Sequence, residues 1–362
     1  MSVKTLFKCD EEGLRNAAEK LLSGSVGVIP TDTVYGLAAC PSLPEAVERL
    51  YSIKDRAKSK PIAILADSVE SARRYIGEEA ARFGGCYWPG ALTVVANSEA
   101  VRIPNCLWTK RLISSCGGAL RVTSANISGS NPALDAAHAL EEIGLRCDFV
   151  FDNGISPGGT PSTVVKFIGG GVVEVLRPGP IEFFSLRSAS PRRAKILSDL
   201  GLFFTLSKSD APEVSYSDDP ERTVRENALI KGGGEKNTLS ADTIVHFNGK
   251  IYGKPRDIIQ AKQFLSELSG NVHSVYTAVQ WQGDVKVVRS DVKFRNLTIS
   301  EIDEYIAKVM PLDRAGAYDI DESGSLIVES YTGSYENIMG LPVEPILEWG
   351  IKERFGRKQD DA

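Results

Sequence analysis

Four short stretches in the first half of this 362-residue sequence combine hydroxyls, glycines and cations at close spacing. They are PTDTVYGL (30–37), KDRAKSKP (54–61), TSANISG (123–129) and STVV (162–165), the last followed by LRPG (176–179). Hydroxyls and backbone amides on Gly-containing loops, together with Lys54, Arg56, Lys60, Arg102 and Arg177, are the ingredients of a triphosphate cradle. Taken singly, each stretch also reads as ordinary structure: PTDT as a side-chain-bonded turn, KDRAKSK as a solvated charged loop, SANISG as a Ser/Gly loop. Neither GxxxxGK[ST] nor GxGxxG occurs, so a P-loop or a dinucleotide fingerprint does not account for the set. In the second half, SASPRR (188–193) puts Pro191 at a helix start with Arg192 and Arg193 in its first turn. Helix N-termini and arginine forks both bind phosphate, although a capped helix with solvated arginines is the plainer reading of this segment alone.

The elements that must position these residues alternate between short apolar runs and amphipathic stretches. Leu14, Ala17, Ala18, Leu21 and Leu22 recur at helical spacing, with Asp10 as N-cap and Gly24 just past the end. VGVIP, PIAIL (61–65) and ALTVVA (91–96) suit buried strands, separated by helical patterns such as PEAVERLYSIK. This alternation predicts a layered α/β fold with a mixed sheet. Pro178, Gly179 and Pro180 in LRPGPIEFF (176–184) end the first set of motifs, and the second set starts at once, which leaves a linker of at most a few residues. Beyond it SPRRAKILSDLG and DIIQAKQFLSELSG read as helices and SADTIVHF as a strand. VHSVYTAVQW and DVKVVRSDVKF read as two long paired strands joined around Gly283. The expected boundaries are 1–180 for a first domain, 181–352 for a second and 353–362 for a tail.

Composition narrows the functional classes. Hydrophobic residues make up 42% and charged residues 25%, ordinary for a globular protein with proper cores. Residues 1–180 carry 19 Lys/Arg and 19 Asp/Glu, so the net charge of −5 falls in the second half, and neither half presents the excess of cations an extended nucleic-acid surface needs. No long apolar run predicts a membrane span, and MSVKTLFKCDEEG lacks the apolar core of a signal peptide, so the expected location is the cytoplasm. The six cysteines all precede residue 150 and form no CxxC pair; they read as reduced, mostly buried thiols, not zinc ligands.

PTDTVYGL, the Lys-x-Arg loop, WPGALTVV, VRIP, SANISG, STVV and RPG occur in the order and spacing of the YrdC-like threonylcarbamoyl-AMP synthases, and residues 1–180 resemble that family throughout. The resemblance implies a twisted mixed sheet with a concave, positively lined cavity. It implies the reaction of L-threonine, bicarbonate and ATP to threonylcarbamoyl-AMP and pyrophosphate, the product passing to the machinery that modifies adenosine 37 of tRNA. Carried over by motif, Thr33 and Arg102 hold threonine, Arg102 pairing its carboxylate bidentately, and Ser162 helps on the same substrate. Arg56, Lys60, Ser124 and Arg177 face ATP with Lys54 beside them. No covalent nucleophile is needed, and Mg2+ on the phosphates is expected. The chain departs from the family in having Lys54-Asp55-Arg56-Ala57 for Lys-Gly-Arg-Pro and Pro132 where many relatives carry Ser.

From residue 181 to 352, SASPRR, SDAPE (209–213), SADTIV (240–245), GKP (253–255), FR (294–295), DRAGAY (313–318) and GLP (340–342) follow in the order of the Maf-like pyrophosphatases. That resemblance implies an α/β fold like that of inosine triphosphate pyrophosphatase, and hydrolysis of nucleoside triphosphates to monophosphate and pyrophosphate with Mg2+ or Mn2+. Asp242 then matches the general base and Glu213 the metal-binding carboxylate. Arg192, Arg193 and Lys254 hold phosphates, and Arg192 and Thr243 match positions that sort substrates. Two departures stand out. Asn227 (RENA, 225–228) replaces a phosphate-facing Lys, and Asp321 (GAYDIDE, 316–322) replaces a Gln. Pro-Arg-Arg is similar to the branch acting on dTTP and UTP, whereas an acid at 321 is similar to the branch acting on 7-methyl-GTP, where a carboxylate accepts from guanine. Domains of this kind often pair, so a homodimer is among the expectations. Alternatives are an RNA-binding first domain, carbamoyl transfer from carbamoyl phosphate, and a Maf-like half that serves only as a scaffold.

Overall fold

The computed structural model describes residues 5–143 and 146–356. They form two compact units, one of residues 5–169 and 173–182, the other of residues 170–172 and 183–356.

The first unit runs β1 (Leu6–Lys8), α1 (Glu11–Leu22), β2 (Gly27–Ile29), β3 (Gly36–Ala39), α2 (Pro44–Lys54), β4 (Ala63–Ala66), α3 (Val69–Ile76), α4 (Glu78–Gly85), β5 (Leu92–Ala96), β6 (Glu99–Arg102), α5 (Leu107–Ser115), β7 (Ala119–Ser124), α6 (Ala136–Ile143), β8 (Phe149–Asp152), β9 (Thr163–Gly169) and β10 (Val172–Arg177). Its strands pair in the order β1-β8-β2-β3-β7-β4-β6-β5-β9-β10, with parallel and antiparallel ladders mixed. Strand parity sorts the core onto two faces. Val28, Leu37 and Ala39 pack with Leu50 of α2 and Ala139 of α6, while Ile29 and Ala38 pack with Leu14 and Leu21 of α1 and Leu112 of α5. The α1 periodicity is as the sequence predicts, and Asp10 Oδ1 accepts from Gly13 N at 2.8 Å as its cap.

The second unit runs β11 (Phe184–Arg187), α7 (Pro191–Asp199), β12 (Phe204–Ser207), α8 (Pro220–Gly232), β13 (Thr238–Phe247), β14 (Lys250–Tyr252), α9 (Ile258–Leu268), β15 (Val272–Trp281), β16 (Asp284–Phe294), α10 (Ile299–Val309), β17 (Val328–Thr332), α11 (Tyr335–Met339), α12 (Glu344–Glu348) and α13 (Ile351–Phe355). The ladder order is β12-β11-β13-β15-β16-β17, with β14 folded back antiparallel on β13. β15 and β16 form the long hairpin expected around Gly283, whose φ of 92° suits the turn. β13 again divides by parity. Ser240 and Ile244 face α8, whose Val224 and Ala228 pack on Ile244 and Ala278, whereas Leu239 and Ala241 face Leu197 of α7 and Ile346 of α12. α13 carries order into the stretch expected as a tail, since Phe355 is buried against Phe184 and Trp281. The remainder of that tail, residues 357–362, lies outside the described residues.

None of the six cysteines is in a disulfide; Cys40, Cys116 and Cys147 are buried and Cys9, Cys86 and Cys106 half-buried. Burial pushes Cys9 and Cys116 up to about 12, which keeps both protonated. Among the described residues no helix is long and apolar enough to cross a membrane.

Candidate active sites

In the first unit the PTDT turn forms between β2 and β3 because Thr31 organises it. Its Oγ1 accepts from Thr33 N (3.1 Å) and Val34 N (3.2 Å), and donates to Val34 O (2.6 Å). This presents Asp32 and Thr33 to Arg102 at the end of β6. Arg102 Nη1 donates to Thr33 Oγ1 (2.7 Å), Nη2 to Asp32 Oδ1 (2.5 Å) and Nε to Gly90 O (2.8 Å). The two residues assigned to threonine therefore touch, and a carboxylate already lies in the arginine fork. Asp32 is the partner that motif reading passed over. Burial lowers Arg102 and the Asp32 carboxylate opposes the shift.

Ser162, buried at the start of β9, shares a 2.8 Å hydrogen bond with Thr93 Oγ1. Arg177 Nη2 donates to Ser162 O (2.8 Å) and Oγ (3.3 Å). Gly179 has no room for a side chain here: a Cβ would stand 2.5 Å from Thr163 N and 2.9 Å from Pro161 O. Arg56 lies across its own loop, donating to Lys60 O (2.8 Å) and Pro61 O (3.0 Å), and Lys60 is exposed. Among the described residues none of Arg56, Lys60 or Arg177 pairs with a carboxylate. Burial lowers Arg177, and the charges of Arg102 and Arg56 lower it further, so these three cations lie close enough to repel.

Lys54 is not arranged as its neighbours are. Its side chain is buried, and its ammonium donates to Ser124 O, to Asn126 O (2.5 Å) and Oδ1 (3.1 Å), and to Ser124 Oγ (3.3 Å). Burial, then Arg56, pushes it down to about 8. In this structure Lys54 holds the SANISG loop, while Ser124 at the end of β7 is half-buried beside it.

In the second unit a cavity of about 570 Å³ gathers Arg192, Arg193, Glu213, Asp242, Thr243 and Lys254. Asp242, buried on β13, has parity toward α8, and α8 supplies both its partners. Asn227 Nδ2 donates to Oδ2 (3.1 Å) and Lys231 Nζ to Oδ1 (2.5 Å). Lys231 also reaches Glu213 Oε1 at 2.7 Å. Burial alone would raise the Glu213 carboxyl, but Lys231, with Lys254 and Arg193 beyond it, draws it below the ordinary value. Asn227 also closes both backbone groups of Val214, accepting from N (2.8 Å) and donating to O (3.0 Å), so it staples the Glu213 segment to α8.

The donors of Arg193 are spent on protein: Gly340 O (2.7 Å), Ala241 O (2.8 Å), Ser188 Oγ (3.2 Å) and Thr243 Oγ1 (3.0 Å). Burial lowers it, with the Asp242 carboxylate opposing. Arg192 is braced by Asp313 (3.4 Å) and Asp319 (3.6 Å). Asp321 is set apart from this lining: it is exposed and accepts from Tyr335 Oη at 3.1 Å. The cause is the neighbouring turn, where Asp319 Oδ1 accepts from the backbone N–H of Asp321 (2.9 Å) and Glu322 (3.2 Å) and keeps Asp319, not Asp321, on the cavity side. Arg187, Lys208, Lys231, Asp313, Arg314 and Asp319 line the cavity without having been singled out from sequence. Asp313 and Arg314 carried a signal as the start of DRAGAY, and Lys231 another, one helical turn beyond the missing lysine at 227.

The donor set fits a divalent ion of modest demands. Two hard carboxylate oxygens, from Glu213 and Asp242, converge on one cationic nitrogen. Among the described residues no group of three or more His, Cys, Asp or Glu converges. Two protein carboxylates suit Mg2+ or Mn2+ that keeps waters and takes its other ligands from phosphates.

Comparison with known proteins agrees with this division. The family model Sua5_yciO_yrdC, described as telomere recombination, matches residues 19–179, and the Maf model, described as Maf-like protein, matches residues 184–349. The dTTP/UTP pyrophosphatase of Thermotoga petrophila is 36% identical over 191 residues, covering 49% of this chain and 93% of the relative. That of Desulfitobacterium hafniense is 41% identical over 188 residues, covering 46% and 85%. Among solved structures, P. abyssi Sua5 complexed with L-threonine is 26% identical with a TM-score of 0.47, covering 58% of this chain and 67% of that one. A P. abyssi Sua5 variant is 29% identical with a TM-score of 0.45 over 48% of this chain, which spans only 56% of that structure. Both families are families of nucleotide-handling enzymes. The chain belongs to both, a Sua5/YciO/YrdC domain followed by a Maf-like domain.

Proposed function

We propose that the chain is a bifunctional enzyme. The first domain joins L-threonine, bicarbonate and ATP into threonylcarbamoyl-AMP, releasing pyrophosphate, and passes the product to the tRNA threonylcarbamoyl transferase machinery. The second hydrolyses nucleoside triphosphates, dTTP and UTP foremost, to monophosphate and pyrophosphate. The observation that carries the reading is the cavity of the second unit. Seven cationic side chains and five carboxylates line it, an excess of two positive charges suited to a polyanion, with Glu213 and Asp242 at one point. The dTTP/UTP relatives support the pyrimidine preference, and so does the position of Asp321, exposed and bonded to Tyr335 apart from the cavity lining.

In the first domain, the Arg102 fork exchanges Asp32 for the substrate carboxylate. Thr33 and Ser162 position the amine, whose nitrogen bonds to the bicarbonate carbon as water leaves, giving a carbamate. The carbamate oxygen attacks the α-phosphorus and pyrophosphate leaves, its charge held by Arg56, Lys60 and Arg177. In the second domain Asp242 takes a proton from the attacking water, while Arg192 and Lys254 hold the phosphates and Arg193 fixes the strand that carries Asp242. Glu213 and Asp242 would hold a divalent ion in the second domain, where it would supply charge neutralisation, and Mg2+ bound with ATP would supply the same in the first. The enzyme would act in the cytoplasm, and a homodimer through the Maf-like half is part of this reading.

Single substitutions in the full chain test it. Arg56→Ala should abolish threonine- and bicarbonate-dependent pyrophosphate release from ATP and leave dTTP hydrolysis intact; Asp242→Ala should do the reverse. A wild-type chain that hydrolyses no triphosphate in a panel of bases would reduce the second domain to a scaffold.

A further inference from the structure

Among the described residues Lys231 is the one ammonium that bridges Glu213 and Asp242. It sits four residues after Asn227, so both project from the same side of α8, and the packing of Val224 and Ala228 on Ile244 and Ala278 sets that side over Asp242. Asn227 is too short to supply a charge, and it is already committed to Val214 and to Asp242 Oδ2. The longer side chain of Lys231 reaches past it. Its Nζ lies 2.5 Å from Asp242 Oδ1 and 2.7 Å from Glu213 Oε1, and the side chain is 16% exposed.

These are the two oxygens a divalent ion would need. The ammonium already holds both oxygens, and a metal about 2.1 Å from each would stand within about 4.6 Å of it, a separation at which two cations repel. Resting on the pyrophosphatase reading above, we infer that Lys231 is a resident cation that occupies the metal position between Glu213 and Asp242 and must leave it before a divalent ion can bind. The parts that must give way are able to. Glu213 lies on an irregular segment with its side chain 58% exposed, and lysine carries a flexible four-carbon stem. Asp242 keeps the Asn227 amide when the ammonium departs. The metal is therefore taken up with a triphosphate, whose oxygens offer the displaced ammonium new partners, and binds weakly ahead of it.

The test measures Mn2+ binding to the nucleotide-free full-length chain by electron paramagnetic resonance of the free ion. Lys231→Met keeps the stem and removes the charge, and should tighten Mn2+ binding about tenfold or more, the equivalent of one charge-assisted hydrogen bond. Lys231→Arg keeps the charge and should bind Mn2+ no more tightly than the unsubstituted chain. A second measurement needs no variant: added Mn2+ should raise acylation of Lys231 by a lysine-reactive ester, read by peptide mass spectrometry, as the ammonium leaves the carboxylates. Equal Mn2+ affinity in Lys231→Met and the unsubstituted chain, or Lys231 reactivity indifferent to Mn2+, overturns the inference. If neither form binds Mn2+ at millimolar concentration, the ammonium is not what excludes the ion and the inference falls; the pyrophosphatase reading falls only if the full chain with Mn2+ also hydrolyses no triphosphate.

Discussion

The buried histidine of the second unit makes acid stability a quantitative test. His273 on β15 is 1% exposed, edge-on to Phe294 and Tyr318 with ring centroids 4.7 and 5.3 Å away. Nε2 shares a 3.0 Å hydrogen bond with Tyr318 Oη, whereas Nδ1 has no hydrogen-bond partner. Burial pushes the imidazole down to about 4 from 6.5, and Asp291 opposes only weakly. The folded protein thus binds fewer protons here than the unfolded chain between those two values, so stability falls as the pH drops through 6.5 and the loss is complete below 4. The loss attributable to this one group is about 1.4 kcal/mol at pH 5.5 and about 2.5 kcal/mol at pH 4.5. His273→Gln keeps a polar end for Tyr318 and cannot titrate. Urea titrations read by hydrogen exchange on β15 peptides, at pH 7.5, 5.5 and 4.5, should show the unsubstituted chain losing about that much more than the variant. Carboxylates that titrate in the same range contribute equally to both proteins and cancel. Parallel pH dependences would refute the claim that His273 is held neutral.

Two further substitutions probe the first unit. Lys54→Met strands the Ser124 and Asn126 carbonyls where the buried ammonium held them. It should cost about 2–4 kcal/mol and raise hydrogen exchange over residues 123–130, against the claim if melting and exchange are unchanged. Gly179→Ala places a methyl 2.5 Å from Thr163 N; the clash should cost about 1–3 kcal/mol and raise the KM for threonine through Ser162, and wild-type melting would show that the segment yields freely.

Much of the fold was legible because local rules suffice for it. The apolar spacing and Asp10 cap of α1 and the turn at Gly283 depend on neighbours within a few residues, and the structure has them where the pattern puts them. The end of the second domain was less legible. Phe355 reads as the start of a charged tail, and only its burial against Phe184 and Trp281 shows that it belongs to the core.

The sequence by itself determined which residue types are present for phosphate and carboxylate chemistry, and in what order. Thr33, Arg102, Ser162, Glu213 and Asp242 stood out as candidates because each lies in a short motif that follows the others in family order. Only the tertiary structure decided what each charge faces. A charge finds its partner through space: Arg102 meets Asp32 from 70 residues away, and Lys54 turns inward to carbonyls 70 and 72 residues on. Two residues of register separate Asp319 from Asp321, and the hydrogen bonds of a turn put Asp319 on the cavity side. Lys231 restores a cation beside Asp242 because α8 packs one particular side on β13. Helix periodicity sets 227 and 231 on one face, but what lies beneath that face is a property of the packed sheet.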